Sequence, residues 1–186
     1  MRKRWVIYIA IGLLFGIVDW YFLDLLASLL DQLGQDESLF EAVYARLLII
    51  AVFMSLNYGI WLVPVVPTAI YEVKRSQSMR KAALAAVVVW AAAILSYYAY
   101  YTFLLMFVGL PNLDFMLFSN RQSPTYWTDW WPPFQRAVLS QFIEWIGIAL
   151  IGGAVVGAFS AYLYRRISKR PVSRQQTSAS AKPVGD

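Results

Sequence analysis

Residues 137–164 read AVLSQFIEWIGIALIGGAVVGAFSAYLY, a run of 28 residues with one side chain that is charged at neutral pH, Glu144. A helix needs about 20 predominantly apolar residues to cross a hydrocarbon core of about 30 Å. Because lipid offers the backbone no hydrogen-bond partners, so long an apolar run has to satisfy its own hydrogen bonds as a helix. The stretch therefore predicts a membrane-spanning helix that ends at the basic pair Arg165 and Arg166.

Three earlier segments have the same character and cover residues 5–30, 39–70 and 82–110. The whole chain is 60% hydrophobic and 15% charged. A soluble domain is nearer half apolar and a quarter charged. The sequence therefore predicts an all-α integral membrane protein with four transmembrane helices in two helical hairpins. We expect these helices to form one domain over residues 1–170, followed by a disordered tail over 171–186, where few apolar side chains are available for burial.

The first apolar segment follows a basic start, Met1-Arg2-Lys3-Arg4, and a secretory signal peptide also begins in this way. The apolar run ends in Val18-Asp19-Trp20-Tyr21, however, without small residues spaced for cleavage. We therefore interpret it as an uncleaved membrane helix.

The basic residues fix an orientation for the predicted bundle. Thirteen of the 16 lysines and arginines lie before the first segment, between the second and third, or after the fourth. Four crossings place all of these on one side, and the positive-inside rule assigns that side to the cytoplasm. The sequence thus predicts a multi-pass protein of the plasma membrane with cytoplasmic N- and C-termini. The aromatic loop 111–133 would be extracytoplasmic, and the net charge of +5 would face anionic lipid rather than nucleic acid.

Several residues predict where the helices begin, bend and end. Ser38–Glu41 form a capping box, which places the start of the second helix there. Pro64 and Pro67 each lack a backbone donor and predict a kink. Gly109 is expected to end the third helix, and Pro132-Pro133 would suit the first turn of the fourth.

Five of the polar residues within the predicted membrane segments form a candidate intramembrane cluster: Asp19, Asp24, Arg46, Asn57 and Glu144. An ionisable residue at membrane depth is a functional candidate because its burial is costly. Asp19 lies 14 residues beyond Trp5, hence about 20 Å along the helix. We hypothesise that Arg46 pairs with one of the three acids, since its guanidinium fork suits a carboxylate.

Two alternatives to this pairing remain open. Trp20 and Tyr21 resemble interfacial anchors, which would place the neighbouring acids among the headgroups. Arg136 and Glu144 could instead be linked through Ser140, because the three share one face of a helix at four-residue spacing. Asn57 is expected to form an interhelical hydrogen bond.

Small residues recur every four positions along the fourth segment, which aligns them on one helix face: Ala149, Gly153, Gly157 and Ala161. Gly12 and Gly16 repeat this spacing in the first segment. Such a stripe lets a second helix approach closely. The partner helix is either another helix of the same bundle, or a protein partner or second copy of the chain.

Aromatic residues are concentrated towards the predicted outer side, and six are candidate lipid contacts: Tyr97, Tyr98, Tyr101, Trp127, Trp130 and Trp131. Trp and Tyr prefer membrane interfaces, so these rings would form an aromatic belt. The alternative is a lipid or isoprenoid site walled by rings.

The chain has no histidine and no cysteine, which removes imidazole bases, thiolates and the usual zinc ligands from its chemistry. No nucleotide, phosphate or metal motif is present. We therefore predict no catalytic, metal or cofactor residues and a protein that is not an enzyme. The expected function is that of a non-catalytic subunit or partner-binding membrane protein in contact with membrane lipids. A transport or permeation component using the outer-half carboxylates, and a lipid- or isoprenoid-binding protein, are the alternatives.

Overall fold

The computed structural model describes residues 2–34, 43–111 and 113–168, and this part of the chain is all-helical without a strand. Two π-helical segments continue longer helices: Leu104–Val108 follows the helix Met79–Phe103, and Gln135–Ser140 precedes the helix Gln141–Ser168. The α-helices are α1 Arg2–Gly34, α2 Val43–Gly59, α3 Leu62–Ser76, α4 Met79–Phe103, α5 Tyr126–Phe134 and α6 Gln141–Ser168.

Three helical stretches are long and apolar enough to cross a membrane: Lys3–Leu29, Met79–Val108 and Tyr126–Ser168. A fourth is present if α2 and α3, which are bent by 42° relative to each other, are counted as one broken span. The predicted all-α class with several membrane-length helices is therefore confirmed.

Helix α4 is the centre of the bundle. It packs against α1, α3 and α6. The side chains that it buries at these contacts are mostly alanines, among them Ala82, Ala86 and Ala93, each with no exposed area. Because alanine fills little space, the neighbouring helices can approach the α4 backbone closely.

Glycines on the neighbouring helices complete these close contacts. A Cβ atom added at Gly12 or Gly16 of α1 would overlap carbonyl oxygens of α4. On α6, a Cβ at Gly153 would lie 3.0 Å from Val87 Cα, and one at Gly157 would lie 2.8 Å from Ala83 Cα. The small-residue stripe of the fourth segment is thus buried inside the chain against α4, together with Ala149 and Ala161 at its ends.

The break between α2 and α3 lies one turn earlier than predicted, at Ile60 and Trp61 rather than at the two prolines. Pro64 falls in the first turn of α3, where its missing donor costs nothing, and Pro67 continues that helix. A proline ring clashes with the carbonyl four residues before it, which for Pro64 is that of Ile60. The Ile60 carbonyl instead accepts a hydrogen bond of 3.0 Å from the N–H of Val63, only three residues later, so the chain turns at this point.

The double proline was also misplaced. Pro132 and Pro133 lie inside α5, which already begins at Tyr126, rather than in the first turn of a helix starting at 137. Two successive missing donors disrupt the ordinary hydrogen-bond pattern. The helix passes this point as the π-helical segment Gln135–Ser140 and continues as α6 to Ser168.

Other bounds differ by a few residues. α1 spans Arg2–Gly34 instead of 5–30, and the second segment extends to Ser76 instead of 70. Helical structure after α4 ends at Val108, where Gly109 has φ of 89° and donates its N–H to the Leu104 carbonyl at 2.9 Å. The predicted helix start at Ser38–Glu41 and the predicted tail over 171–186 lie outside the described residues.

Candidate functional site

Asp19 is the polar residue that the bundle encloses most completely, with 1% of its surface exposed. It follows Gly16 by one helical turn, and Gly16 packs against Ser96 and Tyr97 of α4. Neither carboxylate oxygen of Asp19 has a hydrogen-bond partner among the described residues. A buried carboxylate left alone is strongly destabilising. The site therefore needs a proton, a counter-charge or a donor from outside the described side chains.

The other members of the predicted polar cluster whose side chains are described are less buried than Asp19. Asp24 and Glu144 are exposed, and Asn57 is half-buried. Arg46 belongs to α2, but its side chain lies outside the described part of the structure. Burial thus separates Asp19 from the two remaining acids, and the pairing of Arg46 stays a prediction.

A cavity of about 140 Å³ is lined by residues of α1, α2, α4 and α6, and we call it the inner cavity. Two side-chain amides, Asn57 and Gln141, contribute polar groups to its wall, and Leu23 contributes an apolar one. Its remaining wall is aromatic and consists of Trp61, Tyr97, Tyr98 and Trp145. The Tyr98 hydroxyl donates a long hydrogen bond of 3.5 Å to Gln141 Oε1.

Trp61 is positioned by the break between α2 and α3. The turn directs its indole into the bundle, where the residue is 3% exposed and its ring lies 6.0 Å from that of Tyr97 and 5.8 Å from that of Trp145. The indole Nε1 has no hydrogen-bond partner among the described residues. Buried donors of this kind are usually paired, so this nitrogen is an exception within the described core.

A second cavity of about 360 Å³ adjoins the first and shares Leu23 and Tyr97 with it. We call it the outer cavity. Trp20, Asp24 and Tyr101 also line it, together with residues from the start of the loop after α4. Asp24 therefore brings a carboxylate to a space that is separated from the inner cavity by two side chains.

The six candidate lipid-contact aromatics divide into two groups. Tyr97, Tyr98 and Tyr101 line the two cavities. The loop tryptophans line neither: Trp127 and Trp131 are exposed, and Trp130 stacks on Phe134 with ring centroids 4.3 Å apart. The structure does not bring the six rings together as one wall.

An ion pair that the sequence reasoning missed joins α1 to α3. Glu72 is 3% exposed, accepts a hydrogen bond of 2.6 Å from the Tyr8 hydroxyl, and lies 3.3 Å from Arg4 Nη1. The second segment was expected to end at residue 70, so Glu72 fell outside the predicted membrane segments. Two signals were available in the sequence. Arg4 and Tyr8 are four residues apart and therefore share one helix face, and Glu72 is a single acid beside basic residues.

Comparison with protein-family models, with curated proteins and with solved structures gives no match for this chain. The class that the fold defines is therefore an all-helical chain with three, or up to four, membrane-length helices.

Proposed function

We propose that this chain is a plasma-membrane protein that crosses the bilayer four times, with both termini in the cytoplasm. Helix length and the one-sided distribution of lysines and arginines support this topology. In this arrangement α2 and α3 form one broken span, and the Arg4–Glu72 pair lies at the cytoplasmic end. The inner and outer cavities lie in the outer half.

The proposed role is that of a non-catalytic subunit that binds a partner membrane protein through α2. The observation that supports it is the poor packing of α2: apart from its continuation α3, it makes no extensive contact with any helix of the described chain. Its apolar residues are correspondingly exposed, with Leu48 at 66% and Val52 at 50%. An apolar groove of about 280 Å³ separates α2 from the outer end of α1.

A charged residue of this helix favours a protein partner over lipid alone. Arg46 belongs to α2, and polar side chains at membrane depth commonly bind across helix interfaces. Asn57 of the same helix lines the inner cavity and is not counted toward this surface. A helix that carries an arginine without extensive intrachain packing is expected to find contacts on another protein.

Site-specific photo-crosslinking in intact cells tests this role. A photoreactive residue at Leu48 or Val52 of α2 should give a protein adduct of one defined mass that also copurifies in mild detergent. The matched controls are Ile151 and Val155 of α6, which are 73% and 63% exposed but lie on a helix packed against α4. Equal crosslinking from both helices, or lipid adducts alone from α2, would overturn the partner-binding role.

A second candidate function is transport or permeation. The observation that favours it is the unpartnered carboxylate of Asp19 near two adjoining cavities. Intramembrane acids of this kind mark ion and proton pathways. The purified chain reconstituted in liposomes should then carry ion flux that Asp19→Asn abolishes. The absence of flux from a well-folded reconstituted protein would exclude this candidate.

A further inference from the structure

We propose that the inner cavity binds an organic ammonium group, such as the trimethylammonium group of choline. Its wall includes Asn57 of α2 but not Leu48 or Val52, the positions assigned to a partner protein. Its ligand class is set by three features of the cavity: its rings, the acidic residues near it and the polar groups of its wall.

The rings supply the attraction for a cation. Trp61, Tyr97, Tyr98 and Trp145 present four aromatic side chains to one small space. The quadrupole of an aromatic ring attracts a cation over its face, and aromatic cages of this kind hold methylated ammonium groups. Tyr58 stacks on Trp145 with centroids 5.4 Å apart, which supports that wall from behind.

The charges around the cavity also favour a cation. Asp24 lines the adjoining outer cavity, and Asp19 lies on α1 one turn before Leu23, a residue that both cavities share. No lysine or arginine among the described side chains lines either cavity. Among the described charged side chains, those that line or adjoin the two cavities are therefore acidic.

The polar groups of the wall suit either a primary or a methylated ammonium. A primary ammonium needs hydrogen-bond acceptors around its three donors. The amide oxygens of Asn57 and Gln141 and the hydroxyls of Tyr97 and Tyr98 are acceptors on residues that line the inner cavity. A trimethylammonium group has no donors and needs only the rings. The amide N–H groups of Asn57 and Gln141 are then available to an oxygen of the same ligand.

The depth of the cavity admits two sources for this group. Tyr97 lies 16 residues from Lys81, and Gln141 lies 24 residues from Arg165, hence about 24 Å and 36 Å from the basic flanks. With a hydrocarbon core of about 30 Å, the cavity is near the outer interface. Either a small soluble compound such as choline or the headgroup of an outer-leaflet phosphatidylcholine can reach it.

The test is equilibrium dialysis of the full purified chain with radiolabelled choline, in dodecyl maltoside and in nanodiscs of phosphatidylglycerol. Choline and tetramethylammonium should bind and raise the thermal unfolding midpoint. The neutral isostere 3,3-dimethylbutanol should do neither at equal concentration. Nanodiscs of phosphatidylcholine separate the sources: loss of choline binding there assigns the site to the lipid headgroup, and retained binding assigns it to the soluble compound.

Variants test the wall itself. Trp145→Leu should weaken choline binding at least tenfold, whereas Tyr97→Phe, which keeps the ring, should stay within about twofold. Trp127→Leu removes an exposed tryptophan outside the cavity and should change nothing. Because Trp145 is only partly buried, its variant is expected to fold, and gel filtration checks this.

Two results would overturn the proposal. One is competition by 3,3-dimethylbutanol as effective as that by choline, since the cavity would then be merely apolar. The other is a combination of two findings: choline does not bind in phosphatidylglycerol nanodiscs, and the chain has the same thermal unfolding midpoint in phosphatidylglycerol and in phosphatidylcholine nanodiscs. Neither result affects crosslinking from α2, so the partner-binding role and the cation site can fail separately.

Discussion

The packing of α6 on α4 predicts opposite changes in stability when two different glycines of α6 are each replaced by alanine. In Gly157→Ala, the new methyl carbon would lie 2.7 Å from Ala86 Cβ and 2.8 Å from Ala83 Cα. In Gly147→Ala, ten residues earlier, it would meet no atom within 4 Å. The chemical change is identical, so the difference between the variants reports the helix contact alone.

The magnitude follows from these distances. Carbon atoms in contact lie about 3.5–4.0 Å apart, so α4 and α6 would have to separate by roughly 1 Å at Gly157. Overpacking of this size costs about 1–3 kcal/mol. At Gly147 the substitution removes a flexible residue from a helix, which stabilises by up to about 1 kcal/mol. The two variants should thus differ by at least about 1 kcal/mol.

Equilibrium unfolding of the purified chain in mixed micelles, with a denaturing detergent as titrant, measures both free energies. Gly153→Ala should be intermediate because its nearest atom, Val87 Cα, is 3.0 Å away. Equal stability of the Gly157 and Gly147 variants would refute the close α4–α6 contact.

Three further predictions concern topology and charge. The chain has no natural cysteine, so single cysteines can report topology: Thr125→Cys should be labelled in intact cells, and Ser76→Cys and Ser178→Cys only after permeabilisation. Labelling at 178 in intact cells would mean an odd number of crossings or an inverted orientation. Tyr8→Phe should cost about 1–3 kcal/mol, because Glu72 loses its buried donor. A double-mutant cycle with Glu72→Gln should show coupling, and additive effects would show that the bond contributes nothing. Arg46→Ala should cost about 3–5 kcal/mol if Arg46 neutralises a buried acid. Asp19→Asn in the same chain is the first candidate for partial recovery, and failure of every acid-to-amide change to rescue would reject the pairing.

The sequence predicted the helical class because its signals are local. Long apolar runs need no knowledge of neighbours, and Gly109 ended a helix within two residues of the expected position. The error in the position of the bend arose because a proline acts on the backbone several residues before it. Pro64 was taken as the bend itself, but its ring acts on the carbonyl four residues earlier, and that displacement is what places Trp61 in the inner cavity.

The cavities could not have been predicted from the sequence. Their walls combine residues from different helices, and helix rotation decides which side chains meet. Tyr97 and Tyr98 were marked as aromatic candidates, yet Trp61, Gln141 and Trp145 carried no signal that would place them beside those tyrosines. Glu72 was missed for a different reason, since its partners are more than 60 residues away in the chain.

The central position of α4 has a consequence for biosynthesis. α4 is the helix against which α1 and α6 pack, yet α1 is synthesised about 70 residues before α4 is complete. At about 5–20 residues per second, that interval lasts roughly 4–14 s. During it, Gly12, Gly16 and Asp19 have no α4 surface to cover them. In the proposed topology, a nascent chain with an uncovered carboxylate in its first span is expected to stay beside the insertion machinery until α4 emerges. Arrest of translation just before α4 should therefore prolong the association of the first helix with that machinery, and Asp19→Leu should shorten it.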